Sequence, residues 1–218
     1  MQKKILAIAL TVLLSGGVSQ VHAEMTHIDS VNAGKQKSAN CVSCHGEHGN
    51  SSTAMFPKLA QQNAGYLVNQ LKAFKNGSRK DPIMSTLAIG LTENDMVDIA
   101  NYYAEQKIAG EPADPNESAQ ERAEHETLVA QGGDLYRNGD LKREVSACIA
   151  CHGPHGEGNQ PAGFPALRWQ HKAYLIKALT DFKSGKRSNT NENMMHMIAV
   201  KMTEDEIKAV ANRIATMK

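Results

Sequence analysis

The chain has 218 residues, with 24 lysines and arginines against 23 aspartates and glutamates, a formal net charge of +1 and 5% aromatic residues. Balanced charge with so few aromatic rings argues against a nucleic-acid binder, which needs a basic face. Charge is unevenly spread: residues 24–110 carry eight basic and eight acidic groups, 111–131 one and six, and 132–218 thirteen and nine.

At the amino terminus, Lys3 and Lys4 precede an apolar run from Ile5 to Leu14, then Ser15-Gly16-Gly17 and the small-residue ending Val21-His22-Ala23. This reads as a secretory signal over residues 1–23, cut before Glu24, with an uncleaved anchor as the alternative. The run is too short to span a bilayer, and no later segment is apolar enough to do so. The expected location is therefore an exported, oxidising compartment, the periplasm.

Next comes Cys41-Val42-Ser43-Cys44-His45, and a second copy, Cys148-Ile149-Ala150-Cys151-His152, uses the remaining cysteines. Two thiols three residues apart on a tight turn suit addition to the two vinyl groups of one porphyrin, and the adjacent imidazole reaches its iron. The alternatives are redox disulfides or a four-cysteine zinc cage. Neither βαβ patterning nor zinc-ribbon spacing accompanies the motifs. Two covalently bound c-type haems are thus expected, on Cys41 and Cys44 and on Cys148 and Cys151, with His45 and His152 as proximal iron ligands. His48 and His155 follow three residues later and read as surface or supporting groups.

Pro57 and Pro165 stand twelve and thirteen residues beyond the two histidines. Either each aims a backbone carbonyl at an imidazole Nδ1, or it makes a plain turn. Leu67, Leu71 and Phe74 then fall at i, i+4 and i+7, after Asn63 as a cap and before Gly77 as a stop; Leu175, Leu179 and Phe182 repeat this before Gly185. Arg79 and Arg187 follow, as haem-propionate partners or as solvated helix ends. Thr92 with Asp95, and Thr203 with Glu206, open a last helix in each half as capping boxes.

The halves align well beyond the cysteines: Phe56-Pro57-Lys58-Leu59 with Phe164-Pro165-Ala166-Leu167, and Tyr66-Leu67 with Tyr174-Leu175. Seven residues before Leu91 stands Met84, and seven before its counterpart Met202 stands Met195. The repeat thus selects Met84 and Met195 as second axial ligands, although Met194, His196 and Met197 flank the latter. Met96 and Met202 read as core. Gly110, Pro112 and Pro115 with several acids make 109–126 a partly extended, solvated linker. The expected organisation is a first domain over 24–108, that acidic linker, and a second domain over 127–218. His171 reads as a surface residue at a helix start. Arg168, Lys172, Lys177, Lys183, Lys186 and Arg187 gather around one helix, as a docking face or merely a solvated one.

The paired Cys-x-x-Cys-His-Gly segments, the Phe-Pro-x-Leu stretches, the Tyr-Leu helices and the two methionines resemble the dihaem cytochrome c4 family over essentially the whole mature chain. The resemblance implies an all-α fold of two tandem class I cytochrome c domains, each a small helical bundle around one covalent haem. It also implies a periplasmic electron carrier, not an enzyme, whose partners are redox proteins such as a bc1-type complex and a terminal oxidase. No nucleic acid or small-molecule substrate is expected, and association with a membrane surface stays open. The alternatives are the dihaem subunit of a flavin-containing sulfide dehydrogenase and a dihaem peroxidase. One departure from the repeat is a second loop three residues longer between Arg187 and Met195.

Overall fold

A computed structural model describes residues 16–112 and 115–217. Residues 1–15 of the expected export signal lie outside the described residues. From Gly16 a single helix, α1 (Gly16–Lys37), runs across the expected cut before Glu24. Val31 and Gly34, which pack in the domain, lie after that cut.

The first domain continues with a one-turn helix at the cysteine motif, α2 (Val42–His45), then α3 (Ala64–Asn76), α4 (Pro82–Ile89) and α5 (Glu93–Ala104). The second repeats the order with α6 (Ala119–Asn138), α7 (Ile149–His152), α8 (Lys172–Lys183), α9 (Met194–Ala199) and α10 (Glu204–Ala215). Among the described residues the only β pairing is two isolated bridges, Asp140 with Val145 and Asn159 with Phe164. The all-α expectation therefore holds, and the caps fall where the residues place them. Asn63 Oδ1 accepts from Gly65 N at 3.1 Å, and both Thr92–Asp95 and Thr203–Glu206 form reciprocal capping boxes.

In each domain the first and last helices cross tightly. A Cβ on Gly34 would lie 2.0 Å from the Asp98 carbonyl oxygen, and one on Gly132 would lie 2.0 Å from that of Ala209. Only glycine permits such an approach of two helix backbones. Around the first crossing Leu67, Ile99, Ala100, Tyr102 and Tyr103 form a core. Around the second, Leu135, Tyr136, Leu175, Ile207, Val210 and Ile214 do the same, joined by Met202. Met96 is likewise buried, so the two methionines read as core are core.

The linker is mostly exposed, as expected, but is non-helical only in its first part. Its second half is helix: Ser118 caps α6 in a reciprocal box with Glu121, so 119–126 is wound rather than extended. Its first part is held down. Asn50 bonds Lys107 O and Ala109 N, both at 2.8 Å, and Lys58 Nζ donates to Ala109 O at 2.7 Å. Glu111 reaches His171, which is only 3% exposed, and the other ring nitrogen of His171 faces Ser51 O at 2.9 Å. The surface placement expected for His171 is thus overturned, because this strap and the first domain close over the start of α8.

The extra residues of the second domain are accommodated locally. The three-residue lengthening before Met195 forms a short 3-10 turn, Asn191–Asn193, with Glu192 and Asn193 at positive φ. A loop between α6 and the second cysteine motif is closed by the Asp140–Val145 bridge and tied to α10 by Arg143 on Glu206.

Candidate haem sites

Each cysteine pair sits on a single helical turn, with Cys41, Cys44, Cys148 and Cys151 all half-buried and unpaired to one another. Burial pushes the Cys41 thiol up and that of Cys148 up to about 11. Redox-active Cys-x-x-Cys thiols are shifted in the opposite direction, towards the thiolate. The shifts of Cys41 and Cys148 are thus the reverse of those of an exchange-active disulfide site.

The last residue of each turn, His45 or His152, is 6% or 7% exposed. His45 Nδ1 meets Pro57 O at 2.8 Å and His152 Nδ1 meets Pro165 O at 2.9 Å. A carbonyl only accepts, so Nδ1 carries the proton and each neutral ring keeps its Nε2 lone pair for a metal. Burial lowers the pKa of both rings, against the smaller opposing effect of the proline carbonyls. Of the two roles open to Pro57 and Pro165, the carbonyl-aiming one is realised. Phe56 and Phe164 flank the imidazoles, each with ring centroids 6.3 Å away.

Met84 and Met195 occupy matching places near the starts of α4 and α9, both partly buried, with Ala88 and Ala199 fully buried four residues on. Asp81 caps α4 by accepting from Ile83 N and Met84 N, which pins the backbone at the methionine. Of the residues flanking Met195, His196 turns its Nδ1 to Phe182 O at 2.7 Å, and Met197 is 60% exposed.

Arg79 and Arg187 are not solvated helix ends. Each guanidinium stacks over the phenylalanine of its own domain's helix, Arg79 on Phe74 at 4.5 Å and Arg187 on Phe182 at 4.4 Å. Each then reaches across the domain boundary: Arg79 donates to Tyr174 OH at 3.0 Å and Arg187 to Tyr66 OH at 2.9 Å. Both also donate to Gln70 Oε1, at 2.8 and 3.0 Å. Burial would raise the Tyr174 phenol, but the two arginines outweigh it and hold it below its ordinary value. Neither arginine makes an ion pair among the described residues, although Arg187 is only 7% exposed. Two converging, desolvated cations call for an anion, and haem propionates are anions of the right kind. Donor set, fixed tautomers and cationic seats therefore fit a covalent haem in each domain.

The basic stretch on α8 is less free than its sequence promises. Lys177 and Lys186 both pair with Asp181, Lys183 pairs with Glu204, and Arg187 is buried at the boundary. His48 lies exposed beside Tyr102 OH at 3.3 Å, and His155 is exposed, as their positions suggest.

The family model for cytochrome c matches residues 31–107 and again 129–218. Cytochrome c4 of Pseudomonas aeruginosa is 39% identical over 98% of both chains. A thiosulfate dehydrogenase electron acceptor of Thiomonas intermedia is 35% identical over 84% of this chain and 81% of its own. The crystal structure of reduced recombinant cytochrome c4 from Pseudomonas stutzeri superposes with a TM-score of 0.78 at 38% identity, covering 86% of this chain and 98% of that one. Two matching helical domains, two fitted haem sites and likeness along nearly the whole length lead to one conclusion: the chain belongs to the cytochrome c4 family of dihaem electron carriers, with two covalently bound c-type haems.

Proposed function

We propose that this protein is a periplasmic electron carrier passing single electrons between respiratory-chain components, towards a terminal oxidase. In this reading Cys41 and Cys44 hold one haem by thioether bonds and Cys148 and Cys151 the other. His45 with Met84, and His152 with Met195, would hold the two irons. The observation that carries it is the repeated imidazole-to-proline-carbonyl bond, which leaves one buried Nε2 lone pair in each domain.

Each haem, when bound, supplies one-electron chemistry at its iron. The residues set the conditions. The proline carbonyls hold each imidazole in one tautomer and orientation, and the sulfurs of Met84 and Met195, as ligands, would favour the reduced state. The place of Met195 near the start of α9, matching that of Met84 near the start of α4, supports it as the second-domain ligand. Phe56 and Phe164 pack beside the imidazoles, while Arg79 and Arg187 would meet propionate charge. With His45 and Met84, and His152 and Met195, as iron ligands, neither haem would offer a position to a substrate, which favours a carrier over an enzyme.

Denaturing mass spectrometry of the exported protein tests the assignment together with reduced and oxidised spectra. The expected product is a chain beginning at Glu24 with two haems that survive acid extraction and two histidine–methionine spectra. A mature chain without haem adducts, or turnover of peroxide without any protein partner, refutes the reading. A second reading rests on the relatives named as thiosulfate dehydrogenase electron acceptors: the same haems would accept electrons from a thiosulfate-oxidising enzyme. Stopped-flow reduction by such a dehydrogenase and by a bc1-type complex, each with its own substrate, separates the two donors by rate.

A further inference from the structure

The peptide groups that hold the two proximal histidines are themselves held from the opposite domain. The Pro57 carbonyl that accepts from His45 belongs to the same peptide unit as Lys58 N–H, and that N–H donates to Gln170 Oε1 at 2.8 Å. In mirror fashion, the Pro165 carbonyl that accepts from His152 shares its peptide unit with Ala166 N–H, which donates to Gln62 Oε1 at 2.8 Å. Each glutamine closes a second bond on the same residue, Gln170 Nε2 to Lys58 O at 2.9 Å and Gln62 Nε2 to Ala166 O at 2.8 Å. The amide orientations follow from the partners, since the oxygen faces N–H groups and the nitrogen faces a carbonyl.

The arrangement is built rather than incidental. Gln62 and Gln170 are 8% and 7% exposed, and each Oε1 also accepts from the next backbone N–H, Asn63 at 2.8 Å and His171 at 3.1 Å. The preceding residues, Gln61 (φ 57°) and Trp169 (φ 55°), are held in the left-handed region. Their N–H groups bond the last helix of their own domain, at Tyr103 O and Ile214 O. A non-glycine residue in that region costs about 1–3 kcal/mol, so both domains retain strain at the residue before the crossing glutamine.

We propose that Gln170 and Gln62 are positioning residues for the iron ligand of the other domain: Gln170 sets the hydrogen bond of His45, and Gln62 that of His152. A peptide whose N–H is taken by an acceptor has a more negative carbonyl oxygen, because successive hydrogen bonds polarise one another by about 10–30%. The stronger carbonyl draws the Nδ1 proton, makes the imidazole a better electron donor and stabilises ferric iron. Domain docking thereby lowers both potentials, each through a residue carried by the neighbour. The inference rests on His45 and His152 being the proximal ligands.

The test is an NMR-monitored redox titration of the full dihaem protein and of its Gln170→Met and Gln62→Met variants, with the haems assigned beforehand through Met84→Ala. Gln170→Met should raise the potential of the first-domain haem alone, favouring its reduced form about twofold, which is about 18 mV at 59 mV per tenfold for one electron. Gln62→Met should do the same to the second-domain haem alone. Simple loosening of the interface would move both haems in either variant, and that result, a shift in the glutamine's own domain, or no shift would each overturn the proposal. If Gln170→Met does not load haem, Gln170→Glu keeps the acceptor for Lys58 N–H and must leave the first haem at or below its parent potential; a rise overturns the proposal. Should the parent protein lack two histidine–methionine spectra, the ligand assignment itself fails, which is a separate outcome.

Discussion

Gly132→Ala provides a sharp stability test because its neighbour is a built-in control. A Cβ on Gly132 would stand 2.0 Å from Ala209 O, 2.4 Å from Ala209 C and 2.8 Å from Val210 N, all backbone atoms of α10 that no rotamer change can move. Restoring ordinary contact requires α6 and α10 to part by more than about 1 Å. Overpacking of this kind costs about 1–3 kcal/mol, here at the upper end, while replacing a helical glycine by alanine returns about 1 kcal/mol. The net loss is about 2 kcal/mol, or a fall of about 8–16 °C in the melting of a domain this size. At Gly133 the atoms nearest an added Cβ are side-chain atoms of Arg137 and Arg213, at 3.6 Å, so Gly133→Ala should be neutral or stabilise by up to about 1 kcal/mol. Differential scanning calorimetry of the haem-loaded protein measures both. Equal melting of Gly132→Ala and parent, or equal losses in the two variants, would show that the close helix crossing is wrongly read. The damage should also reach the haem peptide, since Tyr136 on α6 donates its OH to Gly153 O at 2.7 Å, next to His152.

Met84→Ala should open one distal site, lowering the potential of the first haem and admitting carbon monoxide there at one equivalent per chain; unchanged spectra would assign that ligand elsewhere. Met195→Ala should do the same at the second haem, whereas His196→Ala should keep both histidine–methionine spectra, and the reverse pattern would move the ligand to His196. Arg143 holds the carboxyl of Glu206 below its ordinary value, first through its own hydrogen bonds to it, and lowers Asp140 likewise. A depressed carboxylate contributes stability that is present above its unfolded pKa of about 4.5 and lost as pH falls through the folded value. Chemical unfolding of Arg143→Met between pH 3 and 7 should therefore give a flatter acid limb for the second domain than the parent; parallel profiles would refute the coupling.

What was legible in the sequence is what repeats or caps. The Leu67, Leu71 and Phe74 stripe, the capping boxes and the paired cysteine turns are local signals, written within one or two helical turns. Proline carbonyls on the histidines were legible only as one of two roles, because twelve residues of loop fix no direction. Ser118-x-x-Glu121 carries the same capping signal as Thr92-x-x-Asp95, yet acidic and proline-rich surroundings read as a linker; the box was the better guide. His171 and the crossing glutamines were beyond reach for a different reason. Their partners, Ser51, Lys58 and Ala166, stand more than one hundred residues away, and nothing in the period of either helix records which face the other domain will cover. The duplication does carry that information once the halves are laid face to face. Gln62 and Gln170, Arg79 and Arg187, and Tyr66 and Tyr174 occupy equivalent positions of the two repeats, and an isologous contact must pair each with the counterpart of its own neighbour. Where the repeats differ, the reciprocity breaks: Gln70, which accepts from both arginines, has Ala178 as its counterpart, and Asp81 has Asn189. The two domains thus share one design for holding the imidazoles while their arginine seats carry different neighbours, and the positions that break the symmetry are the ones able to make the two haems inequivalent.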